Sequence, residues 1–117
     1  MADSAALIKR IHAARERKVE VEPGKTITLR RPARYDAILL HRGVSVQTVL
    51  ACAVDWAGIT EADIFGPELA PPDVVPFSVE VFSEVARDRI AWVEKLTEAL
   101  VAMITAALEA QESAAKN

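Results

Sequence analysis

The chain has 117 residues, enough for one domain that buries roughly two-thirds of the surface its unfolded form exposes. Its 51% apolar and 26% charged residues are ordinary for a globular protein, and its one cysteine, Cys52, excludes an internal disulfide. The net charge of −3 hides a division: Met1 to Arg42 carries ten Lys/Arg against five Asp/Glu, and Gly43 to Asn117 carries four against twelve, giving halves of +5 and −8. Charge segregated in this way orients a protein against a partner, or one copy against the next, but performs no chemistry. It points to an interaction protein, with self-association one of its uses.

The longest weakly charged stretch, Ala99 to Leu108, is too short to span a bilayer, and the N-terminus lacks the apolar run of a signal peptide. Cys52 lies in the run Val49, Leu50, Ala51, Cys52, Ala53, Val54, which suits a buried thiol in a reducing cytoplasm.

In chain order, Ser4 is positioned to cap a first helix whose inward stripe is Leu7, Ile8, Ile11 and Ala14, running to about Lys18. The period then changes to two: Val19 and Val21, a turn at Pro23-Gly24, then Ile27 and Leu29, which reads as a β-hairpin. Sharing one face in the simplest register pairs Val21 with Ile27 and Val19 with Leu29, across a Pro23-Gly24-Lys25 loop. Pro32 opens a second helix with Tyr35, Ile38 and Leu39 inward, and Gly43 ends it. Ser45 caps a third helix with the stripe Val46, Val49, Leu50, Ala53 and Trp56, Trp56 in the core and Gly58 at its C-terminal end.

Thr60-Glu61-Ala62-Asp63 has the form of a capping box with Asp in place of Glu, starting one short turn that ends at Gly66-Pro67. The stretch 66–76 contains Pro67, Pro71, Pro72 and Pro76 and reads as an irregular linker or extended arm. Ser78 caps the next helix, whose face is Val79, Phe82, Val85 and Ala86. Then either the chain breaks or kinks at Arg87-Asp88-Arg89 with Asp88 capping a final helix, the favoured reading, or the pattern Phe82, Ala86, Ile90, Val93 carries one long helix straight through. There Val93, Leu96, Leu100, Met103 and Ala107 alternate three and four apart like a heptad seam, widened by Ile104 and Leu108. The fold class expected is α+β and predominantly helical: an N-terminal helix, one hairpin, then four or five helices with a proline-rich connector. Residues 1–112 form one domain, and 113–117 a frayed tail.

Candidate chemistry is sparse. His12 and His41 fall on different predicted helices without Cys, Asp or Glu at zinc-ligand spacing, and read as surface or cap-side residues. Asp55, Glu61 and Asp63 flank helix ends, where solvation and capping account for them, so no catalytic residue, metal or cofactor is assigned. Ser45, Ser78 and Ser83 lack a nucleophile elbow, and Pro23-Gly24-Lys25-Thr26 has only the tail of a phosphate loop. A basic set that includes Lys9, Arg10, Arg15, Arg31, Arg34 and Arg42 admits nucleic-acid binding, which the acidic overall balance and the scarcity of nearby aromatics disfavour. The final-helix seam of Val93, Leu96, Leu100, Met103, Ile104 and Ala107 is the candidate partner-binding face. Packing of that seam on the hairpin and the first helices is the alternative.

Three blocks in order, Thr26-Ile27-Thr28-Leu29-Arg30-Arg31-Pro32 closing the hairpin, Trp56-Ala57-Gly58-Ile59-Thr60-Glu61-Ala62-Asp63, and Pro76-Phe77-Ser78 opening a helix, resemble a tailed-bacteriophage tail assembly chaperone. The resemblance covers most of Lys25 to Arg89. It implies a non-enzymatic factor of the host cytoplasm that binds the tape-measure protein and shields its apolar helices before the tail tube polymerises. The alternatives are a small structural component of the particle, such as a connector or minor tail protein docking head to tail, and a DNA-binding regulator.

Overall fold

The computed structural model describes residues 3–40, 43–68 and 72–116, with side chains described through Ala114. His41, Arg42 and Pro71 therefore lie outside the described residues. Among the described residues the order of elements is α1 (Ser4–Ala14), β1 (Glu16–Glu22), β2 (Lys25–Arg30), α2 (Arg34–Ile38), α3 (Val46–Ala51), β3 (Ala53–Ala57), α4 (Glu61–Phe65), α5 (Val79–Arg87) and α6 (Ile90–Lys116). The fold is α+β and mostly helical, but its sheet has three antiparallel strands in the order β1-β2-β3, where the sequence pattern predicts only a hairpin.

The third strand is the main correction. The predicted helix from Ser45 through Trp56 splits: Ser45 does cap α3 through its hydroxyl, which accepts from the Thr48 amide at 3.2 Å, but α3 ends at Ala51. Ala53–Ala57 then pairs with β2, setting Trp56 opposite Ile27 and Ala53 opposite Leu29. Ala53, Val49, Leu50 and Trp56 are inward in either conformation, so periodicity over so short a run does not distinguish them. The ladder decides, because a lone hairpin would leave the outer edge of β2 unpaired. Gly58, expected to end a helix, instead follows β3 with φ +80°.

The hairpin register also differs from expectation. Val19 faces Ile27 and Arg17 faces Leu29, around a turn of Pro23 and Gly24, with one irregularity between Glu20 and Glu22 that places Val21 in a bulge. Pro23 followed by Gly24 at φ +79° is the pattern of a type II turn, whose hand opposes strand twist. A bulge adds local right-handed twist and so reconciles turn and strands. The result still puts Val21, Ile27 and Leu29 in the core with Val19 packed beside them.

α1 stops at Ala14 rather than near Lys18, because Glu16, Arg17 and Lys18 pair with Arg30, Leu29 and Thr28 of β2. Asp3, not Ser4, is its N-cap, accepting from the Ala5 amide at 3.3 Å. In α2 the inward residue is Ala37, and Leu40 packs partly on the core. Tyr35, Ile38 and Leu39 are exposed, which reverses the predicted face of this helix.

The capping box at Thr60 forms in full: the Thr60 hydroxyl meets the Asp63 amide at 3.2 Å, and the Thr60 amide donates to Asp63 Oδ2 at 2.8 Å. The far part of the proline-rich connector is extended and folds back along this segment. Val74 bridges Thr60, the Val75 amide donates to the Ile59 carbonyl at 2.9 Å, and the Trp56 indole N–H donates to the Val75 carbonyl at 2.7 Å. Ser78 caps α5, whose Phe82, Val85 and Ala86 are buried while Val79 is exposed. Phe82 and Phe77 pack edge-on against Trp56, with ring centroids 6.2 and 5.8 Å away.

The break before α6 is present, but Asp88 is the C-cap of α5, and the Arg89 carbonyl receives the first amides of α6, from Trp92 and Val93. Arg89 locks the corner by donating to the carbonyls of Val85 and Asp63 at 3.1 and 2.7 Å, and its guanidinium lies over the Trp92 ring. α6 is helical through Lys116, so 113–116 continue a helix where the sequence predicts a frayed end. At 27 residues this helix is roughly 40 Å long, well beyond the reach of strands of five to seven residues, which is why its last turns lie in solvent.

One face of the sheet carries the core. The rows Val19-Ile27-Trp56 and Leu29-Ala53 meet α3, α5 and α6, while Lys18, Thr28 and Asp55 occupy the opposite face. This is the one-sided burial typical of an antiparallel sheet. Trp92 donates to Glu22 Oε2 at 3.0 Å and Lys95 to the carbonyl of bulged Val21 at 3.0 Å, clamping α6 along β1.

Candidate functional site

The six residues predicted to bind a partner do share one stripe of α6, but that stripe faces the protein's own sheet. Leu96 and Leu100 are fully buried, Ile104 and Ala107 nearly so, and Val93 and Met103 half-buried. A heptad-like spacing reports only that a helix has an apolar stripe; it does not say whether the covering surface is another chain or the same one. Here β1, α3, α5 and α2 supply it.

Apolar side chains are exposed elsewhere. On α2 and its C-cap residue, Tyr35 is 77% and Leu39 68% exposed, with Ile38 beside them at the i, i+3, i+4 spacing of one helical face. On α1 no residue is buried, and its stripe of Leu7, Ile8 and Ile11 is 42%, 51% and 43% exposed. The sequence marks both helices as amphipathic; it does not reveal that their apolar faces stay outside the core, because five residues of α2 and eleven of α1 look the same packed or unpacked.

Arg15 and Arg31, with the α1 residue His12 and the α2 residue Asp36, line a shallow groove of about 320 Å³. The Arg31 backbone amide donates to the Arg15 carbonyl at 2.9 Å, and Arg34 Nε reaches the Ala107 carbonyl at 2.9 Å. The Arg31 guanidinium is held below its ordinary pKa, first by partial burial and then by repulsion from Arg34 and Arg15. This end of the molecule is therefore positive, bordered by the apolar stripes of α1 and α2.

The other end is acidic and concave. An apolar groove of about 520 Å³ opens between α4, α5 and the returning connector, with Ile64, Val75 and Val85 at its floor and the more exposed Phe65 and Val81 on its walls. Glu61, Glu80 and Glu84 stand on its rim, and no ion pair among the described residues involves them. Sequence reasoning missed this groove, although Val81 and Val85 at i, i+4 beside Ile64-Phe65 are its trace in the chain.

The remaining candidates fall where local structure places them. Asp63 is tied into the capping box and lies 3.4 Å from Lys25 Nζ, so the lysine of Pro23-Gly24-Lys25-Thr26 meets a carboxylate across the hairpin turn. Burial would raise the Asp63 carboxyl, but hydrogen bonds from the Thr60 amide and hydroxyl, together with Lys25, outweigh it and lower its pKa. Asp55 is exposed on the open face of β3, and burial raises the Cys52 thiol, which keeps it protonated. Among the described residues no three of His, Cys, Asp or Glu converge as a metal site, and no helix is long and apolar enough to cross a membrane. No protein-family model, curated protein or solved structure matches this chain.

Proposed function

We propose that this chain is a non-enzymatic, protein-binding factor of the tail assembly chaperone kind, holding an apolar helical stripe of a tape-measure protein against α2. One observation carries the reading: Tyr35, Ile38 and Leu39 form a continuous apolar face, all more than half exposed, on a protein whose core closes without them. Such a face covers a matching stripe on an amphipathic helix, and Arg31 and Arg34 beside it attract carboxylates along that helix. A patch of three side chains gives modest affinity, which suits a factor that must let go as the tube forms. The buried stripe of α6 has no part in this reading, because exposing Leu96 and Leu100 would uncover the sheet.

The test is co-expression with a tape-measure protein. The unaltered chain raises the soluble yield of that protein, whereas Tyr35→Ser with Leu39→Ser keeps its own melting temperature and loses the effect. Solubilisation undiminished by the double substitution rejects the α2 surface, and finding the chain in purified particles favours a structural component over a chaperone.

A further inference from the structure

We infer that copies of this chain associate head to tail, the α1 helix of one copy seating its apolar stripe in the α4/α5 groove of the next. This contact needs no tape-measure protein and goes beyond the proposed chaperone role. Two surfaces of the chain each lack a cover. Leu7 and Ile11, one turn apart, and Ile8 beside them make an apolar stripe on a helix none of whose residues is buried. The groove is likewise apolar at its floor and open to solvent.

Their charges are complementary. Arg10 lies one turn from Leu7 and borders the stripe, with Lys9 behind it and Arg15 at the C-cap. Glu61, Glu80 and Glu84 rim the groove and have no cation paired with them among the described residues. Their dimensions agree as well: α1 with 11 residues is roughly 16 Å long and α5 with nine roughly 13 Å, so one helix lies along the other.

The occupant is a second copy because the fold denies the groove to its own α1. α1 passes through the single residue Arg15 into Glu16, the end of β1 remote from the turn. The groove sits beside α4, which the Lys25–Asp63 contact holds at the turn end. β1 separates the two by seven residues, roughly 23 Å, and no linker spans that distance. A helix at one end and its receptor at the other make a heterologous contact, which propagates from copy to copy and ends in a ring or an open chain.

Sedimentation velocity at low salt tests this with two variants. Ile8→Asp with Ile11→Asp removes the stripe, and Val81→Lys with Glu84→Lys spoils the groove; all four residues are exposed, so both proteins melt as the parent does. The parent sediments faster as concentration rises to about 0.1 mM, and each variant alone associates roughly tenfold or more weakly. An equimolar mixture of the two forms a 1:1 dimer and stops there, since that pair has one intact helix facing one intact groove. Should either variant melt early, the charge exchange Arg10→Glu with Glu84→Arg serves instead: each change alone weakens association and the two together restore it. A parent that stays monomeric at that concentration, a variant that associates as the parent does, or a mixture that remains monomeric overturns the inference.

Discussion

Gly58 and Gly24 meet backbone to backbone: a Cβ added to Gly58 would overlap the carbonyl oxygen of Gly24. The residue that follows β3 thus rests on the hairpin turn, and the contact fixes the turn end of the sheet against the start of α4. Gly58 also has φ +80°, a conformation that side chains with a Cβ rarely adopt. Gly58→Ala therefore combines strain with a clash against rigid backbone and is expected to cost about 2–4 kcal/mol. Gly66→Ala is the control: φ is +98° but nothing lies near its would-be Cβ, so about 1 kcal/mol is expected. Equal losses in urea unfolding of the two variants would contradict the Gly24 contact.

The capping box predicts an acid-sensitive α4. Thr60→Ala removes the acceptor for the Asp63 amide and should cost about 1 kcal/mol. Because the Asp63 carboxyl has a lower pKa folded than unfolded, the unfolded chain binds more protons across the window between the two values, and stability rises with pH there. The contribution is complete above the unfolded value of about 3.9 and is lost as pH falls through the folded one. Asp63→Asn should flatten this part of the acid limb, which thermal melts from neutral pH down to pH 2 would reveal as a smaller difference from the parent at low pH.

Leu100 distinguishes a core stripe from an interface. Leu100→Ala is expected to lose about 2–5 kcal/mol of folding stability with no partner present, and half-buried Met103→Ala clearly less. Denaturant titration measures both. Stability unchanged by Leu100→Ala would return the α6 stripe to the surface.

Trp56 holds the connector. Trp56→Phe keeps most of the ring but removes the N–H that satisfies the Val75 carbonyl, at an expected cost of about 1–3 kcal/mol. Hydrogen exchange should then accelerate at the amides of Val75 and Glu61, which bond to the carbonyls of Ile59 and Asp73. Exchange confined to its original rate at both amides would mean that the connector is held by its other contacts.

The legible parts of this chain are those written in local chemistry. Ser45, Thr60 and Ser78 cap the helices that follow them, as their local sequence predicts, because a side-chain oxygen and an amide three residues away meet whatever the rest of the protein does. The alternation of Val19, Val21, Ile27 and Leu29 marks the hairpin, and the stop at Arg87-Asp88-Arg89 marks the boundary between the last two helices. The candidate site was less legible: the apolar stripes of α1, α2 and α6 are all visible as patterns, yet only their burial tells them apart.

Sequence alone therefore determined that α1, α2 and α6 carry apolar stripes, that Ser45, Thr60 and Ser78 each start a helix, and that the two halves of the chain carry opposite charge. The tertiary structure decided the rest, and the reason is competition for a limited area of sheet. β2 claims Ala53–Ala57 as a third strand and Glu16–Lys18 as part of the first, so segments with helical periodicity yield to a ladder they cannot sense locally. The α6 stripe, clamped by Trp92 and Lys95 along β1, then covers that sheet and leaves α1 and α2 with apolar faces in solvent.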